Sequence, residues 1–151
     1  MNTFMSKLIS PAGLVTLICF FLPWITVSCG NMPVITNASA MELAQGITVN
    51  GQSQEGDPLL YLLLVGAIIL LLAGMKLWNA RSALASTGAL LGSLLVVVIW
   101  FLFRKGLEEG LAQAAAQGMV LIHKWEIGFW GTLVSGLVGG IAALFSFGER
   151  E

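Results

Sequence analysis

Charge is scarce in this chain. Of its 151 residues, 10% are charged, against about a quarter in an ordinary soluble domain. The net charge is −1 and there is no basic run, so nothing marks a nucleic-acid partner. Two cysteines are too few for a disulfide framework. Cys19 and Cys29 stand about ten helical residues apart, roughly 15 Å of rise, which is too far to bridge each other. No serine–histidine–acid set, phosphate loop or cysteine pair at metal spacing occurs. The single histidine, His123, offers one ligand where a structural zinc takes four, and is read as solvated at an interface. Glu108 and Glu109 are adjacent, so on a helix they point about 100° apart and make no paired acid/base site. They balance Arg104 and Lys105 one turn earlier. The expectation is a protein that is not an enzyme, with no metal and no predicted cofactor.

What is present is apolar: 57% of the residues are hydrophobic. The charges vanish from four long stretches and return between them, the pattern of bilayer-spanning helices. The spans are read as residues 8–27, 58–78, 82–103 and 127–148. Each has about 20 residues without a central charge, enough for roughly 30 Å of hydrocarbon. Charges at span centres often mark ion paths and proton relays, so this pattern speaks against a pump. Pro11 falls in the first turn of span one, where proline is tolerated. Pro23 falls near its end, where a kink or stop is expected. Val27, Ser28 and Cys29 look like the tail of a lipoprotein cleavage box, but Thr26 and the Pro23–Trp24 pair do not fit one, and the span is read as retained.

Lysine and arginine set the orientation. Lys7, Lys76, Arg81 and Arg150 lie on the side of the termini, while Arg104, Lys105 and Lys124 flank the last loop on the other. The long first loop has no positive charge and carries Glu42, Glu55 and Asp57. Both termini are therefore expected in the cytoplasm, most simply across a bacterial cytoplasmic membrane. Trp24, Tyr61, Trp100, Trp125 and Trp130 are read as anchors at the outer interface, with Phe101, Phe103 and Phe129 beside them. Trp78 is read as an anchor at the inner one.

The outer loops, residues 28–57 and 104–126, are patterned. Residues 32–36 and 46–49 read as strands. Between them Ser39 and Glu42 form a capping box, and Gly46 suits the end of the short helix. A flexible tail is expected over residues 50–57. Asn37, Ala38 and Ser39 spell a glycosylation sequon, a pattern common by chance. The run after Phe103 is rich in alanine and glutamine and lacks proline, so the third helix should continue several turns past the membrane and stop at Gly118. Residues 119–126 then offer a third strand, which matters because an isolated hairpin is marginal. The fold expected over residues 1–151 is one all-α integral membrane domain: a four-helix transmembrane bundle with a small extracytoplasmic β-element from both outer loops.

Phe21, Leu22, Pro23 and Trp24 at the end of span one, the segment from Ser39 to Ala44, and Gly128, Phe129 and Trp130 opening span four form a pattern. It resembles small four-span bacterial membrane proteins that mostly have no assigned function. The layout also resembles claudins, although the claudin Trp, Gly-Leu-Trp and paired-cysteine signature is absent. No junction function and no active residue follow from either resemblance.

The strongest regularity is small residues at helical spacing. In span four Gly131, Ser135, Gly139 and Ala143 form one row, and Gly128, Thr132, Gly136 and Gly140 a second. Span three has Gly88 and Gly92, with Ala85 and Ala89 alongside. Small residues let helices approach closely in lipid. One row would serve the bundle, leaving the other for another subunit, a second copy, a lipid or a pigment tail. The alternative is that both rows pack internally. The leading expectation is a non-catalytic membrane subunit or scaffold, its partners membrane lipids and other subunits or itself through span four. The alternatives are a homo-oligomeric channel or permeability modulator of claudin-like build, and a lipid- or cofactor-binding membrane protein.

Overall fold

The computed structural model describes residues 2–29, 36–49, 52–79, 82–118 and 120–147. It is mostly helical, with a small sheet at one end. In chain order the elements are α1 (Asn2–Phe21), β1 (Pro23–Cys29), β2 (Thr36–Ser39), α2 (Ala40–Gln45), β3 (Gly46–Val49), β4 (Gln52–Glu55), α3 (Leu59–Asn79), α4 (Ala83–Ala116), β5 (Leu121–Trp125) and α5 (Ile127–Phe147). Three helices, α3, α4 and α5, are long and apolar enough to cross a membrane; the apolar part of α1, Ser6–Phe21, is shorter. The four long helices pack in a ring in which α1 touches α3 and α5, and α4 touches the same two.

The first span both starts and ends earlier than its hydropathy indicates: α1 begins at Asn2, so Pro11 lies inside the helix and not in its first turn. The apolar run to residue 27 was read as one helix, but α1 stops at Phe21 and Pro23 opens a strand. Proline lacks an amide proton and biases the residue before it, Leu22, away from helical geometry. The chain after Pro23 is also rich in β-branched residues (Ile25, Thr26, Val27). The other three spans differ from their helices by at most one residue at each shared end. α4 runs 13 residues beyond Phe103 and stops at Ala116, before Gly118 with its positive φ of 85°. At the other end of α3, Asp57 caps the start, its Oδ1 accepting from Leu59 N at 3.0 Å, with Pro58 in the first turn.

The sheet has the order β2-β1-β5, and both pairings are antiparallel. Ile25 lies opposite Ala38 and Trp125, and Thr26 opposite Asn37 and Lys124. Strands alternate their side chains: Ile25 and Ala38 are buried against the bundle, and Thr26, Asn37 and Lys124 share the other face. Of the strand expected at residues 32–36, all but Thr36 lies outside the described residues. The strand at Gly46–Val49 forms, but it pairs with β4 and does not join the sheet. Of the flexible tail expected at residues 50–57, residues 50 and 51 lie outside the described residues and Gln52–Glu55 forms β4, a short antiparallel return that satisfies backbone groups which would otherwise need water.

Between β2 and β3, α2 carries the expected capping box. Ser39 Oγ accepts from Glu42 N at 3.3 Å, and Glu42 Oε2 accepts from Ser39 N at 2.8 Å. Gly46 ends the helix at φ 97°. Ala40 and Ala44 of α2 are buried against the sheet end of the bundle.

Two apolar clusters form the core. At the end carrying the termini, Ile9, Leu70, Leu77 and a set of alanines (12, 73, 85, 89, 142, 143) pack together, and their small volume brings the helices close. At the sheet end the filling is aromatic: Phe20, Trp24, Trp100, Phe103 and Phe129, with Leu60, Leu63, Val96 and Ile99.

Candidate functional site

The motifs at the end of span one and the start of span four, far apart in sequence, meet at the joint between bundle and sheet. Gly128 stands where a Cβ would lie 2.7 Å from Pro23 O and 2.8 Å from the Trp24 ring. Only glycine lets α5 begin against the exit of α1. Glu126 N donates to Trp24 O at 2.8 Å, tying the two chain turns together. The Trp24 indole donates to Cys19 O at 2.9 Å, a carbonyl in the last turn of α1 that has no intrahelical partner of its own.

Phe129 is the hub. Its ring is 4.4 Å from Trp100, 3.9 Å and nearly parallel to Trp125, and edge-on to Trp24 and Trp130 at 5.7 Å and 5.4 Å. The Trp100 indole donates to Phe129 O at 2.9 Å. Trp24 and Phe129 are 0% exposed and Trp100 1%. This corrects the reading of Trp24 and Trp100 as interfacial anchors: both rings are closed inside the protein and reach no lipid. Their direction was not legible, because a tryptophan with a buried donor to give fits a core as well as an interface. Tyr61, Trp78 and Trp130 are exposed, and Trp125 is half-buried. The Trp78 indole donates to Lys7 O at 3.3 Å, joining α3 to α1 at the other end.

The small residues of α5 face its own neighbours. Gly131 sits over the Cys19 sulfur, which a Cβ would approach to 2.6 Å, and a Cβ on Gly139 would come within 2.8 Å of Leu70 and 3.4 Å of Ala12. Gly136 meets Val96 at 2.9 Å, and Gly140 meets the Ser93 hydroxyl. Gly131 and Gly139 of one row thus lie against α1 and α3, and Gly136 and Gly140 of the other against α4, while Gly128 of that second row meets the exit of α1; residues one apart on a helix point about 100° apart. Ala143 is fully buried. Gly92 approaches Gly66 O and Leu70 N, while Gly88 has only Ala73 nearby at 3.7 Å. Sequence reasoning missed Gly13, Gly66 and Gly74. Gly66 and Gly74 are eight residues apart, which on a helix puts them about 80° apart, and they face α4 and α1 respectively.

Hydroxyls stitch the same seams. Thr16 Oγ1 and Ser135 Oγ are 2.7 Å apart between α1 and α5. Ser93 Oγ donates to Gly136 O at 2.7 Å between α4 and α5. Such bonds contribute about 0.6 kcal/mol in membrane bundles, at most about 1.7. Ser93→Ala should therefore lower stability by about 0.6 kcal/mol, read as a small shift in thermal unfolding in detergent. A loss above about 2 kcal/mol would mean that Ser93 has a further role.

On the sheet's outer face Thr26 Oγ1 lies 2.5 Å from Asn37 Oδ1 and 2.9 Å from Glu126 Oε1. Lys124 Nζ is 3.8 Å from Glu126. His123 is exposed and edge-on to Trp125 at 5.6 Å. On α4, Arg104 pairs with Glu108 at 2.8 Å, one turn on as its spacing predicts, and its guanidinium lies 5.8 Å from the Trp100 ring. Past Phe103, Leu107 still packs against the core, while another face of α4 is open: a Cβ at Gly106 or Gly110 would meet nothing within 4 Å. No family model matches the chain, and no curated protein matches it.

Proposed function

We propose that this chain is a non-catalytic integral membrane subunit: a four-helix transmembrane bundle with a small extracytoplasmic sheet, claudin-like in layout, its termini in the cytoplasm. Its apolar helices support the membrane reading. The observation that carries the subunit reading is the exposed face at the end of α4. Thirteen residues continue as helix past Phe103, with open space around Gly106 and Gly110 and exposed Ala112, Gln113, Ala115 and Ala116. Leu107 packs against the core and Leu111 and Ala114 are partly buried, but the exposed residues gain little from tertiary packing, which supplies most helix stability in proteins. They are suited to contact with another chain. Because the small rows of α5 are occupied internally, partner contact is assigned to this α4 extension and the polar sheet face beside it.

The test is extraction in mild detergent with a photo-crosslinker at Gln113. A crosslink to one foreign subunit at fixed ratio supports the reading, with Val98, on an exposed face within the α4 span, as the position that should not crosslink to it. A crosslink only to a second copy of the chain replaces it with the homo-oligomeric reading. A monomer in native mass spectrometry with no crosslink at Gln113 would overturn it.

A further inference from the structure

An apolar groove of about 310 Å³ runs along the outer seam between α1 and α5. Its walls are Leu8, Pro11 and Val15 on one side and Gly131, Val134 and Val138 on the other. Both sets follow the i, i+3, i+7 spacing that lines one helix face, so the groove follows the helix axes. It is hollow because Gly131 contributes no side chain and Ala12 little. At its floor the Ser135 hydroxyl is committed to Thr16 and to Gly131 O, the latter at 2.7 Å, and Thr16 donates to Ala12 O at 2.8 Å. The floor thus asks for no polar group. A groove of this lining favours hydrocarbon over water, and its volume is at the small end of ligand sites.

One charge stands at its end. Lys7 is exposed and precedes Pro11 by four residues, one turn along the same helix face. A lysine at such a position extends its ammonium to the level of lipid headgroups. Pro11, Val15, Val134 and Val138 are exposed, so the groove opens sideways, toward the hydrocarbon if the chain spans a membrane. We propose that it holds one acyl chain of an anionic phospholipid from the leaflet on the side of the termini, with the lipid phosphate at Lys7. The proposal rests on the membrane reading above and is independent of any partner at α4.

The test uses the full chain in nanodiscs of equal phosphatidylglycerol and phosphatidylcholine, re-extracted in mild detergent, with retained lipid counted by mass spectrometry. Wild type should keep phosphatidylglycerol in preference to phosphatidylcholine. Val138→Trp fills the groove and should cut retention about tenfold, equal to about 1.4 kcal/mol; Val98→Trp on α4 should not. Val15→Trp, from the opposite wall, gives the same reading should Val138→Trp not fold. Lys7→Gln should keep a lipid but lose the preference between headgroups. Equal retention by wild type and the filled variants, or an unchanged preference in Lys7→Gln, would overturn the proposal. Failure of the wild type to enter nanodiscs would overturn the membrane reading and this one with it.

Discussion

Replacing Gly74 by leucine should abolish the native bundle, and replacing it by alanine should already cost about 1–3 kcal/mol. A Cβ at Gly74 would fall against Ser10 N, and 2.7 Å from Ser10 Cα. The obstacle is backbone and cannot rotate away. One turn further into the bundle, Gly13 of α1 has the reciprocal problem, its Cβ position being 2.5 Å from Leu71 N. The two glycines let α1 and α3 cross backbone to backbone, which in lipid supplies the packing that hydrophobic burial does not. Thermal unfolding in detergent is the measurement, with a fall of about 2–4 °C expected per kcal/mol for a chain of this size. Gly106→Ala is the matched contrast. Nothing lies within 4 Å of its Cβ position, so the same chemical change should be neutral or stabilise by up to about 1 kcal/mol through helix propensity. Equal unfolding temperatures for Gly74→Ala and wild type would show that the crossing is looser than described.

The ease with which each part could be read from the sequence follows from how local its cause is. The capping box at Ser39 and Glu42, the stop of α4 before Gly118 and the pairing of Arg104 with Glu108 depend on residues within one or two turns, and all three form as their spacing indicates. The end of α1 was misplaced because hydropathy does not distinguish an apolar helix from an apolar strand, and Pro23 was read only as a kink or stop. The β1–β5 pairing joins residues about 100 positions apart; the β-forming character of β5 was visible, whereas most of β1 was read as the end of the first span. The small rows of α5 were recognised, but their direction depends on where α1 and α4 sit, which a single helix does not encode. The α1–α3 crossing was missed because Gly13 is the one glycine of α1 and Gly74 has a leucine, Leu70, four residues before it, so neither falls in a run of small residues at four-residue spacing.

Phe129→Ala should be the most damaging single truncation at the joint. The ring is wholly buried and touches four tryptophans, Trp24, Trp100, Trp125 and Trp130. Removing it costs the lost transfer energy and leaves a cavity bounded by rigid indoles that relax poorly, about 3–5 kcal/mol for such a change. The effect should also be visible spectroscopically, because five tryptophans are present in all and four of them report on this ring. Their emission should shift to the red as water reaches the joint. Trp24→Phe separates packing from hydrogen bonding at the same place. It keeps an aromatic ring beside Phe103 and Phe129 but withdraws the donor from Cys19 O, and should cost about 1–3 kcal/mol through the unsatisfied carbonyl in addition to the volume lost. If Phe129→Ala unfolds like wild type and its emission is unchanged, the joint does not hold the sheet to the bundle. If it falls as expected while Trp130→Ala, at an exposed ring, loses much less, the stability of the joint resides in its buried rings, and the two motifs at the ends of spans one and four are explained by their contact with each other.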